Sequence, residues 1–255
     1  MTTQEFDVTK SIASQPRVAI VTGGSRGIGA EVAQRLAADG MAVAIAYAGD
    51  KEAAGEVVAR IAGGGGSAFA MRADVADENQ MTALFDATAA RFGGIDVVVN
   101  AAGSMTLAPL ADFDLAVLDR MHRTNIRGTF VVNQLAARTV RPGGAIINFS
   151  TSVKKLALPG YTAYAASKGA VDAISLILAK ELRGRDITVN AVAPGPTATS
   201  LFLDGKDQET IDRMSTMNPL ERLGTPGDIA EVVAFLAGPA RWINGQVIYA
   251  NGGAI

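Results

Sequence analysis

The chain has 255 residues, 49% of them hydrophobic and 19% charged, which is enough apolar content for a packed core and too little charge for a disordered chain. Lys+Arg 23 against Asp+Glu 25 gives a net charge of −2, so the basic footprint on which nucleic-acid binding rests is missing. With no cysteine and with His122 as the single histidine, disulfides, thiolate nucleophiles and Cys-ligated or multi-His metal sites are excluded.

The N-terminus is polar and mixed in charge, without an apolar core region or a basic start, and residues 1–16 read as an extension before the first strand. Short apolar runs then alternate with helical stretches. The predicted strands are Arg17–Thr22, Ala42–Tyr47, Ala68–Arg72, Ile95–Asn100, Ala145–Phe149, Ile187–Ala193 and Gln246–Tyr249. Several are apolar on both faces, the mark of a parallel strand covered by helices on either side. Between them lie helical patterns such as Ile28–Asp39, ending at Gly40, and Asp77–Phe92, ending at Gly93–Gly94. This rhythm predicts an α/β fold over residues 17–255: one Rossmann-type, doubly wound parallel sheet of about seven strands, flanked by helices on both faces. Gly63–Gly66 reads as a surface loop. Only Thr197–Asn218 breaks the rhythm; no strand pairs with it by position, and Leu201, Phe202, Met214 and Met217 look exposed. Such an insertion after a late strand is a candidate lid over a ligand crevice. No apolar stretch reaches the ~18–20 residues of a membrane-spanning helix, and a soluble, cytoplasmic protein is expected.

The first strand runs into Thr22-Gly23-Gly24-Ser25-Arg26-Gly27-Ile28-Gly29, and a helix follows. Glycines here let the backbone turn tightly and approach a pyrophosphate at the helix N-terminus, although close packing alone can also require them. An NAD site shows an acid at the tip of the second strand; here the tip reads Ala46-Tyr47-Ala48-Gly49 and the first acid is Asp50. Arg26 sits inside the glycine loop, where a cation meets a 2′-phosphate or is simply solvated. The missing acid and the present base favour NADPH/NADP+ over NAD(H). Tyr164 and Lys168 lie four residues apart in a helical stretch, Thr162–Leu182, and so share one face. An ammonium beside a phenol favours the phenolate, and a phenol so tuned acts as general acid or base towards a carbonyl or alcohol oxygen. The alternative for this pair is an aromatic on the core side and a solvated lysine.

In this combination and order, the sequence from Arg17 to the C-terminus resembles the short-chain dehydrogenase/reductases, in their compact single-domain branch. The glycine loop matches at Thr22–Gly29, with Gly23, Ser25, Arg26, Gly27, Ile28 and Gly29 facing the cofactor. The resemblance gives Asp74, with Val75, the adenine contact. It gives Asn100, Ala101 and Gly103 the turn that ends the fourth strand, although Ala101 replaces the commoner asparagine. It makes Asn125 the holder of a water in a proton relay, Tyr164 and Lys168 the catalytic pair, and Pro194-Gly195, followed by Thr197 and Thr199, the turn beside the nicotinamide. The family's catalytic serine lies thirteen residues before the tyrosine, where this chain has Thr151. A threonine hydroxyl donates and accepts as serine does; Ser152 is the alternative, and backbone-satisfied hydroxyls are expected for the flanking serines.

The resemblance implies NADP(H)-dependent reduction of a ketone or other carbonyl to an alcohol. Met105, Leu107, Leu156, Leu158, Tyr161, Leu201 and Phe202 flank the expected site, pointing to an apolar or aromatic small-molecule substrate, with a 3-oxoacyl thioester as a further option. Homotetramers are common in the family. The competing functional class is a non-catalytic NADP(H)-sensing regulator on the same fold, against which the intact Tyr164, Lys168 and Asn125 count. An epimerase or dehydratase would need a further substrate domain. His122 is assigned no role.

Overall fold

A computed structural model describes residues 16–255; the expected extension over residues 1–16 lies, apart from Pro16, outside the described residues. The strands are β1 (Val18–Thr22), β2 (Ala42–Tyr47), β3 (Ala68–Arg72), β4 (Ile95–Asn100), β5 (Val140–Phe149), β6 (Thr188–Pro194) and β7 (Val247–Ala250). They form one sheet in the order β3-β2-β1-β4-β5-β6-β7, with every neighbouring pair parallel. The helices are α1 (Gly27–Ala38), α2 (Lys51–Gly63), α3 (Glu78–Phe92), α4 (Leu115–His122), α5 (Gly128–Thr139), α6 (Val153–Leu156), α7 (Thr162–Glu181), α8 (Ser200–Leu203), α9 (Gln208–Ser215) and α10 (Pro226–Ala237).

Alternation along the strands builds two cores. Ala19, Val21, Val97 and Val99 face one side, where α1, α2 and α10 bury Leu36, Ile61 and Val233 against them. Ile20, Val98 and Ile146 face the other, against Leu84 and Phe85 of α3, Val132 of α5 and Leu178 of α7. Because both faces are covered, β1 over Val18–Val21 and β2 over Ala42–Ala46 are apolar at successive positions, as the sequence predicts. Gly93 caps α3 in the left-handed region at φ 86°. Strand β5 begins five residues earlier than its apolar run, since Val140 already pairs with Ile95 across an irregularity in β4.

The strand order reverses between β1 and β4, and at such a switch point the loops after the strands diverge and leave a crevice. At its floor, Thr22 Oγ1 donates to Asn100 Oδ1 at 2.9 Å and Asn100 Nδ2 donates to Thr129 Oγ1 at 3.0 Å, tying β1, β4 and α5 together. The expected lid is short helices α8 and α9, and it is anchored after all: Thr197 forms a parallel bridge with Gly224. Met214 is buried rather than exposed, because α9 turns it inward.

Candidate active site

A cleft of about 530 Å³ opens above the carboxyl ends of the strands. At one end lies the glycine loop. Gly23 and Gly27 take φ of 64° and 54°, where a side chain is strained. A Cβ on Gly29 would overlap the carbonyl oxygen of Gly23, so the loop folds back on itself only without one. The loop delivers the N-terminus of α1 to the cleft with no side-chain cap and no acid in its first turn, whereas Asp50, Asp77 and Thr225 cap α2, α3 and α10. Uncapped N–H groups at a positive helix end fit a pyrophosphate, and this is the structural test the nucleotide passes.

Ser25, Arg26, Gly27, Ile28, Asp74, Val75, Ala101, Gly103, Pro194, Gly195, Thr197 and Thr199 all line the cleft. Arg26 is exposed, and its side chain makes no hydrogen bond or ion pair among the described residues. Opposite it, the tip of β2 presents Ala46–Gly49, and Asp50 spends its carboxylate on the backbone N–H of Ala53 at 2.9 Å. The late acid therefore serves as a helix cap. Asp74 accepts from Arg123 Nη1 at 2.6 Å and from the Ala76 N–H at 2.9 Å, which with these donors holds its carboxyl below the usual range despite partial burial.

Two predicted residues stand apart from the cleft wall. Asn100 is consumed by the floor network, so it shapes the turn rather than reaching a ligand. Asn125 is fully buried in a π-helical turn, Arg123–Arg127. Its Oδ1 accepts from the Ser104 N–H at 2.9 Å, and its Nδ2 donates to the Ser104 carbonyl at 2.9 Å and to Ser167 Oγ at 3.0 Å. Ser167 in turn donates to the Tyr164 carbonyl at 2.7 Å, so Asn125 braces the helix turn that carries the tyrosine. Sequence spacing gives no sign of this link, because it runs through Ser104 and Ser167 on other segments of the chain.

At the other end of the cleft the candidate hydroxyls separate. Thr151 lines the cleft beside the Tyr164 phenol, where its hydroxyl favours the ionised phenol. Ser152 faces inward: its Oγ donates to the Ala193 carbonyl at 3.1 Å and accepts from Asn251 Nδ2 at 3.2 Å. Of the flanking serines, only Ser152 is satisfied by backbone as expected; Ser150 Oγ is buried without a partner among the described residues. Lys168 Nζ donates to the Phe149 carbonyl at 2.8 Å and lies 5.8 Å from the Tyr164 ring centroid. The net lowering of the tyrosine pKa expected beside Lys168 is not found. Desolvation dominates, pushing the Tyr164 phenol up to about 12 and Lys168 down to about 8. Lys168 is buried and Tyr164 half-buried on the cleft wall, and burial favours the neutral form of each.

The remaining wall is apolar: Met105, Leu156, Tyr161, Leu201, Phe202 and Met214. Leu107 and Leu158, expected to flank the site, are not part of it.

A family model described as enoyl-(acyl carrier protein) reductase matches residues 23–254. The chain is 44% identical over 253 residues to a short-chain type dehydrogenase/reductase of Picea abies, covering 94% of this chain and 92% of the relative. It is 39% identical to an NADPH-dependent aldehyde reductase-like chloroplast protein of Arabidopsis thaliana, covering 97% and 99% of the two chains. Among solved structures it is similar to a short-chain dehydrogenase from Burkholderia cenocepacia in complex with NADP, with a TM-score of 0.88, 40% identity, and 94% and 98% of the chains covered.

Proposed function

This chain belongs to the short-chain dehydrogenase/reductase family, and from that premise we propose that it is an NADPH-dependent reductase of apolar or aromatic carbonyl compounds acting through Thr151, Tyr164 and Lys168. The observation that carries the proposal is that Thr151, Tyr164 and Lys168 line one end of a largely apolar cleft that runs to the uncapped N-terminus of α1.

Bound NADPH supplies a hydride for the carbonyl carbon. Gly23, Ser25, Gly27, Ile28 and Gly29 would hold its pyrophosphate, Arg26 its 2′-phosphate, Asp74 and Val75 its adenine, and Pro194–Thr199 with Ala101 and Gly103 its nicotinamide end. Thr151 and Tyr164 bind the carbonyl oxygen of the substrate. Tyr164 donates its phenolic proton to that oxygen as negative charge develops there, which is general-acid catalysis. A phenol held near 12 is fully protonated at neutral pH, the form that reduction requires. Lys168 places a positive charge beside the phenolate so formed and would hold ribose hydroxyls. Asn125 keeps the Tyr164 turn in place and would hold the relay water expected above. Residues 197–218 act as a lid, with Phe202 and Met214 over the apolar part of the cleft.

Homotetramer formation is part of the proposal. Phe130, Ile177, Phe235 and Trp242 are exposed on α5, on α7, on α10 and just beyond it, and β7 is an open sheet edge. The proposal also keeps the cytoplasmic compartment expected above; no helix of the described residues is long and apolar enough to cross a membrane.

The test is cofactor absorbance against time with aromatic, aliphatic and 3-oxoacyl carbonyls, NADPH and NADH run in parallel. Consumption of NADPH with aromatic or aliphatic ketones supports the reading. Tight NADPH binding with no consumption on any carbonyl would replace it with the sensor.

A further inference from the structure

The turn after Thr151 carries a charge that the mechanism above does not use. Helix α6 begins directly after Ser152, and its Lys154 forms an ion pair with Asp172 of α7, the two side chains being 13% and 19% exposed. Asp172 lies one helical turn past Lys168 and two past Tyr164, on the same stripe of α7. Asp172 Oδ1 is buried and has no hydrogen-bond donor among the described residues, so Lys154 is the group that compensates this carboxylate. A largely buried ion pair contributes little net stability compared with apolar residues of the same volume, which directs attention to what it fixes in place. It joins two short stretches: the turn that presents Thr151, whose Oγ1 also accepts from the Val153 N–H at 3.3 Å, and the helix face that presents Tyr164 and Lys168.

We propose that Lys154 and Asp172 are a positioning pair for the reaction: their ion pair fastens the Thr151 turn to the face of helix α7 that carries Tyr164 and Lys168. The proposal rests on the reductase reading for its kinetic consequences. Around Lys168, α7 contributes Tyr164 and Asp172, and the position just before the helix contributes Tyr161. Strand β5 contributes the Phe149 carbonyl, the π turn contributes neutral Asn125, and α6 contributes Lys154. Lys154, tied to Asp172 one helical turn from Lys168, adds to desolvation, the larger cause, in holding Lys168 low.

The experiment uses the full chain with isotope-labelled lysine, following the Lys168 side-chain resonance against pH, assigned with K168R. In K154M the Lys168 midpoint should rise by roughly half a pH unit or more. Turnover should fall about tenfold or more with KM for NADPH unchanged, because Thr151 loses its register on Tyr164. K154R should restore both. If K154M does not fold, the uncharged pair K154M/D172N keeps the test, with the same turnover loss expected. A wild-type Lys168 midpoint in K154M, or wild-type turnover in K154M or in the uncharged pair, overturns the proposal. If the wild-type chain turns over no carbonyl, the reductase reading has failed instead, and the titration, which needs no substrate, still decides whether Lys154 acts on Lys168.

Discussion

Lys168 stands 5.8 Å from the Tyr164 ring centroid and gives its hydrogen bond to the Phe149 carbonyl, not to the phenol. The two groups are neighbours without being partners, and burial moves each towards its neutral form. Turnover in the reductive direction should hold through neutral pH and decline as the medium passes about 8, where Lys168 loses its proton. Alcohol oxidation needs the phenolate and should rise towards alkaline pH. Profiles of both directions with one substrate pair check this; parallel profiles would contradict it.

Burying the Lys168 ammonium costs stability that its function requires. Its folded pKa, near 8, lies below the unfolded value of 10.5, so the penalty is complete below pH 8 and is relieved as pH rises from 8 to 10.5. K168M should therefore abolish turnover while stabilising the fold by about 1–3 kcal/mol at pH 7. Denaturant unfolding measures it, and the gain should shrink at alkaline pH.

Thr151 and Ser152 should respond differently. T151A removes the hydroxyl beside Tyr164 on the cleft wall and should cost about 10²-fold in turnover, with T151S close to wild type. S152A breaks the tie to Ala193 and Asn251 and should cost about 1 kcal/mol of stability with a smaller kinetic effect. Steady-state kinetics and melting curves on the three variants separate these outcomes.

Arg26 is free of protein partners among the described residues, and the acid nearest the ribose end is used as a helix cap. R26A should raise KM for NADPH about ten- to a hundredfold, the loss of one charge-assisted contact, and leave KM for NADH unchanged. An equal rise for both cofactors would place Arg26 in the loop's structure instead.

Much of this was legible in the sequence because it is local. Two-sided apolar strands gave the sheet, and the four-residue spacing of Tyr164 and Lys168 on one helix gave the pair. The glycine loop could be read because Gly23, Gly27 and Gly29 answer to short-range sterics. What escaped depends on distant neighbours. That the Ser152 hydroxyl is engaged within the protein depends on Asn251, about a hundred residues away, and on the β6 carbonyl of Ala193. Asn125 acts through Ser104 and Ser167, contacts between separate segments, and Met214 is turned inward by a helix whose composition is mostly polar. The direction of the Tyr164 shift depends on desolvation, which spacing along a helix does not reveal.

The most direct test of the account is Tyr164→Phe, read as single-turnover reduction alongside NADPH affinity. The phenol is the only group assigned to deliver the proton, so the rate should fall by about 10²–10⁴-fold with NADPH affinity unchanged. Full turnover by that variant would contradict the mechanism.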